Sequence, residues 1–229
     1  MKRLVVIGAS GMVGGCVLRI ALENPHIDRV LSVVRKTLGF SHSKLTEVLH
    51  PNFADCSTLE SVLSDQDAAI FCLGTYTGTV SDAELRVITL DYTTEFARVL
   101  KRSSPGAAFA FLSGNGADPT GQSRIAFARY KGLAERALLE VGFPRVYIFR
   151  PAYIYPVTPR QEPSFSYRLL RLGYPVFRVL FPHLVIRSDD LGRIMVEVCL
   201  QDSGKAETRI LENRDILAMV RSAQALKPS

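Results

Sequence analysis

The stretch RLVVIGASGMVGG, residues 3–15, decides the fold. A short apolar run, residues 3–8, has the look of a buried strand and ends at a glycine. Gly8, Gly11 and Gly14 then follow in the spacing G-x-x-G-x-x-G. An amphipathic helical pattern runs from there to about Glu23. Glycines placed this way allow a tight turn, a close approach of backbone to a pyrophosphate, and close packing of helix on strand. The helix start adds unpaired N–H groups and a partial positive charge. Gly8, Ala9, Ser10, Gly11, Met12, Val13 and Gly14 are therefore expected to hold the phosphates of a dinucleotide. A bare glycine motif is also compatible with an ordinary turn, so the rest of the chain has to decide.

Outward from that turn, strand and helix patterns alternate. Strands are expected at 29–35, 45–50, 68–74, 106–114 and 145–151. Helices are expected from near Ser57, from a Ser81/Glu84 capping box to about Arg102, and over about 122–141, stopping at Gly142 and Pro144. A helix near Ser188, a short strand at 208–212 and a terminal helix capped by Asn213 complete the chain. Such alternation predicts an α/β fold: a doubly wound parallel sheet, or Rossmann fold, in one domain over residues 1–229. A small helical substrate-side extension, with residues 156–187 as a lid, begins at the proline-rich PVTPRQEP.

Ligands of such sheets sit at the carboxyl ends of the strands. The second strand ends in Arg35 and Lys36, where an NAD-preferring protein usually has an acidic residue. Both cations can pair with a 2′-phosphate, so NADP is expected over NAD. Asp55, after the third strand, is a candidate adenine contact or simply a turn residue. Leu73, Gly74 and Thr75 end the fourth strand, where backbone would pass the cofactor.

The motifs VVIGASGMVG, FCLGT, LSGNGAD, YKGLAE and VYIFRPAYIY, in this order, resemble the atypical short-chain dehydrogenases. They look most like the Tat-interacting-protein branch of oxidoreductase-like, NADP-binding proteins. The likeness covers roughly residues 3–155. It implies a Rossmann fold, NADP at the glycine turn and an active site of the serine–tyrosine–lysine kind. The lysine falls on Lys131, which would hold the nicotinamide ribose. The tyrosine position, four residues earlier, carries Phe127. The serine falls on Ser113 or on the next position, which is Gly114. Pro151 would lie near the nicotinamide. Tyr130 adjoins Lys131, but successive helical residues turn by about 100°, so its phenol faces away from the lysine. The catalytic candidates are Lys131, Ser113 and Tyr130. The resemblance implies an NADP-binding oxidoreductase-like protein with weak or altered catalysis. The alternative is a non-catalytic NADP-binding regulator or scaffold.

Composition sets the remaining bounds. Charged residues make up 22% of the 229, hydrophobic residues 47%, and the net charge is +6. A mild basic excess suits anionic ligands, but the basic residues are not interleaved with stacking aromatics, so no nucleic-acid partner is expected. Cys16, Cys56, Cys72 and Cys199 are scattered without a CxxC pair, and the four histidines lack metal spacing. No metal is expected, and the cysteines read as reduced thiols of a cytoplasmic protein. Residues 160–187 interleave five arginines with apolar side chains. That pattern suits a small-molecule substrate that is hydrophobic and acidic, a packed lid, or contact with an anionic membrane surface.

Overall fold

A computed structural model describes residues 1–75, 78–157, 181–201 and 205–225. Seven strands form its main sheet: β1 (Lys2–Ile7), β2 (Ile27–Val34), β3 (Leu45–Leu49), β4 (Ala68–Phe71), β5 (Ala108–Leu112), β6 (Arg145–Arg150) and β9 (Glu207–Glu212). Their order is β3-β2-β1-β4-β5-β6-β9, and every pair is parallel. The first six strands reproduce the doubly wound order in which the chain reverses direction between β1 and β4. The strand at 208–212 extends this sheet beyond β6.

Strand side chains alternate between two cores, as a sheet covered on both faces requires. Leu4, Val6, Val30, Ile70 and Phe149 face one core. It is roofed by α1 (Met12–Glu23), α5 (Ser188–Leu200) and α6 (Asn213–Ala225). Val5, Ile7, Val33, Phe71, Phe109 and Ile148 face the other, under α3 (Tyr92–Ser103) and α4 (Ala126–Val141). Phe71, Phe96 and Phe109 pack there at centroid distances of 5.6 to 6.3 Å. On the first face α1 and α5 cross closely: a Cβ on Gly192 would lie 3.2 Å from Cys16 Cβ.

Several boundaries differ from the sequence reading. The helix expected from Ser57 is one 3-10 turn, Ser57–Leu59. Phe53, Cys56, Leu59 and Leu63 enter the core from that irregular segment, so no longer helix is needed to bury them. The capping box of Ser81 and Glu84 is present and starts α2 (Asp82–Arg86). A π turn over Val87–Asp91 separates α2 from α3, where the sequence suggested one continuous helix. The helix α4 begins at Ala126 rather than near 122. The cause is Asp118, whose carboxylate accepts the N–H groups of Thr120, Gln122 and Ser123 and holds that segment as a loop. Asn213 opens α6, but its side chain bridges Ala152 N–H and the His183 carbonyl instead of capping the helix.

A second, two-stranded parallel sheet pairs β7 (Tyr153–Tyr155) with β8 (Val185–Arg187). It was not legible in the sequence. Most of the expected lid, residues 158–180, lies outside the described residues. No helix of the described residues is long and apolar enough to cross a membrane.

Candidate nucleotide site

The glycine turn joins β1 to α1 with geometry that only glycine tolerates at two points. Gly8 has φ +82°, in the left-handed region, and a Cβ there would meet the Cys72 carbonyl carbon at 2.7 Å. A Cβ on Gly14 would sit 2.0 Å from the Gly8 carbonyl oxygen. No side chain caps α1 and no acidic residue stands in its first turn. Its N–H groups are left for an outside acceptor, and nothing nearby repels an anion. The cradle thus fits a dinucleotide pyrophosphate. Ser10 and Gly11 are exposed at its mouth, Met12 is half-buried, and Ala9 and Val13 are buried beneath.

Arg35 and Lys36 follow β2 directly, exposed and without an ion pair among the described residues. Asp55 is exposed too, and its carboxylate accepts the Ser57 N–H at 2.9 Å. Its hydrogen bonds with Ser57 hold the carboxyl below the usual carboxylate range. Asp55 therefore serves the turn that the sequence offered as the alternative to adenine contact. β4 ends at Phe71, so Cys72, Leu73, Gly74 and Thr75 form the loop that passes the glycine turn, with Gly74 exposed.

The residues after β5 diverge in direction. Ser113 is buried, and its hydroxyl donates to Glu135 of α4. Arg150 grips the same carboxylate with two nitrogens, one at 2.9 Å, and reaches Glu212 at 3.0 Å. Ser113 is thus tied into a buried ionic network at the ends of β5, β6 and β9. Gly114, in contrast, faces Phe127: a Cβ there would lie 2.6 Å from the ring's Cζ and 2.7 Å from Cε1. Pro151 is buried beside this loop, its carbonyl accepting the Asn115 N–H at 2.9 Å.

Lys131 is 5% exposed, not solvated. Its Nζ donates to the Leu112 carbonyl at 2.6 Å and lies 4.6 Å from the Phe111 ring centroid. Burial brings its pKa down to about 8, against the opposing pull of Cys72 and Glu135. Tyr130 is also more buried than a surface aromatic, at 7% exposed. Its hydroxyl donates to Asp82 of α2 at 2.6 Å, and the Arg129 guanidinium covers its ring at 4.8 Å. The phenol thus points toward α2.

Arg150→Ala tests the network. It leaves the Glu135 carboxylate, 2% exposed, with the Ser113 hydroxyl but without its guanidinium. A broken buried pair typically costs about 3–5 kcal/mol, which urea unfolding would read directly. A loss near zero would mean that the pair is solvent-screened.

Sequence reasoning missed one residue of this region, His50. It follows β3 directly, is 8% exposed, and donates its backbone N–H to the Val34 carbonyl beside Arg35. Its place at a strand's carboxyl end was the available signal.

No protein-family model matches the chain. It is 25% identical over 229 residues to "Protein FMP52, mitochondrial" of Saccharomyces cerevisiae, covering 97% of this chain and 98% of that one. The protein of the same name from Eremothecium gossypii is 27% identical over 222 residues, covering 95% and 96%. These relatives correct the expectation of a cytoplasmic protein, since both are named as mitochondrial. Among solved structures, the Bordetella bronchiseptica enzyme WbmH in complex with NAD+ superposes with a TM-score of 0.67 at 17% identity, covering 100% of this chain and 83% of that one. UDP-N-acetylglucosamine 4-epimerase from Bacillus cereus gives 0.67 at 13% identity, covering 93% and 78%. At these identities the likeness establishes the fold alone: this chain has the Rossmann-like α/β fold of those two structures.

Proposed function

We propose that the protein binds NADP in the manner of an atypical short-chain dehydrogenase and has weak or altered carbonyl chemistry. One observation carries the second half. Phe127 and Gly114 face each other, so neither position that would hold the tyrosine and serine hydroxyls has one. Ser113, the neighbouring hydroxyl, is committed to Glu135. Reduction of a carbonyl needs a proton donor within hydrogen-bond reach of the oxygen.

A bound nicotinamide dinucleotide supplies hydride chemistry. Gly8 to Gly14 would cradle its pyrophosphate, Leu73 to Thr75 would border the loop it crosses, and Lys131 and Pro151 would stand on the nicotinamide side. Lys131 would have to exchange its Leu112 contact for a ribose hydroxyl. The names of the relatives favour a mitochondrial setting, and the motifs quoted above are the support for the Tat-interacting-protein branch. The second reading is a non-catalytic NADP-binding regulator. The inward-turned Lys131 favours it.

Preference for NADP rests on Arg35 and Lys36. Calorimetry at fixed salt should show NADPH binding more tightly than NADH, and Arg35→Ala should weaken NADPH selectively. A charge-assisted contact of this kind contributes about 1.5–3 kcal/mol. Equal affinities in the wild-type protein would remove the preference, and no binding of either would remove the function.

A further inference from the structure

We propose that the cavity between α3 and α4, at the edge of the sheet opposite the glycine turn, binds a small phosphate monoester. The cavity measures about 270 Å³ and is lined by Arg98, Lys101 and Arg102 of α3 and Ala137, Glu140 and Val141 of α4. Each trio has the spacing i, i+3, i+4, so each presents one face of its helix. α3 ends at Ser103 and α4 at Val141, just before the amino ends of β5 and β6. The glycine turn stands at the carboxyl end of β1. In a parallel sheet these are opposite edges. The cavity is therefore separate from the nucleotide site, and the proposal does not rest on NADP binding.

Charge identifies the ligand. Arg102 Nε meets Glu60 at 3.2 Å, and Arg136 Nε stands 3.9 Å from Glu140. Those two pairs account for the charges of Arg102 and Glu140. Arg98 is exposed and makes no hydrogen bond or ion pair among the described residues. Lys101 Nζ donates to the carbonyls of Pro105 at 2.9 Å and Gly142 at 2.8 Å, tying the two helix ends together. An ammonium has three N–H donors, so one remains. Two positive charges are left over, which match the charge of about −2 on a phosphate monoester at neutral pH. The Arg98 guanidinium can grip two phosphate oxygens while the Lys101 ammonium takes the third. Ala137 and Val141 make the rest of the wall apolar, suited to a short organic chain. The volume falls just below the roughly 300–1,000 Å³ of drug-sized ligand sites, which favours a small ester. Cations near a helix C-terminus often serve only to complement its dipole. Lys101 fills that role, whereas Arg98, one turn earlier, touches no carbonyl.

The test follows backbone amide shifts by NMR while inorganic phosphate or glycerol 3-phosphate is added at constant ionic strength. Both titrations should saturate, with the shifts centred on residues 98–102 and 137–141. Arg98→Gln removes a side chain that has no partner, so the variant should melt as the wild-type protein does. It should bind either anion about tenfold more weakly. Arg221→Gln removes the same charge from an exposed position on α6, on the other face of the sheet, and should bind as the wild type does. Equal weakening in the two variants overturns the proposal, because net charge then explains the attraction. Unchanged binding by Arg98→Gln overturns it as well. So do shifts that never saturate, and shifts confined to residues 8–14, which would put the phosphate at the glycine turn. Vesicles of phosphatidylcholine with and without phosphatidic acid, whose headgroup is a phosphate monoester, then identify the source. Co-sedimentation that requires both phosphatidic acid and Arg98 assigns the site to a lipid headgroup. Any other vesicle result assigns it to a free ester.

Discussion

Gly14→Val should abolish dinucleotide binding and leave a folded but less stable protein. The Gly14 position allows no compromise, since a Cβ would stand 2.0 Å from the Gly8 carbonyl oxygen and 2.6 Å from its carbon. Both are backbone atoms of the turn itself, so relief requires α1 to move away from β1. That movement displaces the N–H groups of the first helical turn, which are left unpaired by any capping side chain. The phosphate contacts depend on those groups, so the loss of affinity should exceed detection in a calorimetric titration. Overpacking of this kind typically costs about 1–3 kcal/mol, and a backbone clash lies at or beyond the upper end. Circular dichroism should still report the α/β fold, because the core under α3 and α4 lies on the other face of the sheet from α1 and is untouched. Normal NADPH binding by this variant would move the phosphate site away from the glycine turn. Gly15 offers a control on the same helix, since a Cβ there meets only the Ala9 carbonyl oxygen, at 3.3 Å.

The parts of the fold that were legible depend on local pattern. The short apolar run of β1, the glycine spacing and the Ser81/Glu84 box each act over a few residues, and each appears where expected. Features set by distant partners were not readable. Tyr130 takes its burial and its hydroxyl acceptor from Asp82, 48 positions away. Ser113 and Gly114 could not be told apart as site positions, because their directions are fixed by Glu135 and Phe127 on α4. The seventh strand was visible as a strand, but its place beside β6 is a long-range pairing. His50 could have been found. The strand-end rule that pointed to Arg35 and Gly74 led past the third strand to Asp55 and so skipped His50. The cysteine pattern alone pointed to the cytoplasm, and the names of the relatives contradict it.

The pair of Phe127 and Gly114 carries the other large effect. Phe127→Tyr should raise carbonyl reduction by about 10²–10⁴-fold over the wild-type protein, the usual range for a positioned acid. The new oxygen would extend from Cζ, the ring atom nearest the site of a Cβ on Gly114, where glycine carries no side chain. It would also stand one helical turn from Lys131, whose positive charge favours a phenolate. Burial holds the lysine near pKa 8, so its charged form dominates below that pH and fades above it. The gain should accordingly shrink as pH rises past about 8. Gly114→Ser alone should restore nothing, because its Cβ would collide with the Phe127 ring at 2.6 Å. Tyr130→Phe is the control: it removes a hydroxyl held by Asp82 and should leave turnover nearly unchanged. NADPH consumption across a panel of aldehydes, ketones and quinones supplies the assay. Strong wild-type turnover that disappears in Tyr130→Phe would reverse the assignment and make the phenol beside Lys131 the proton donor.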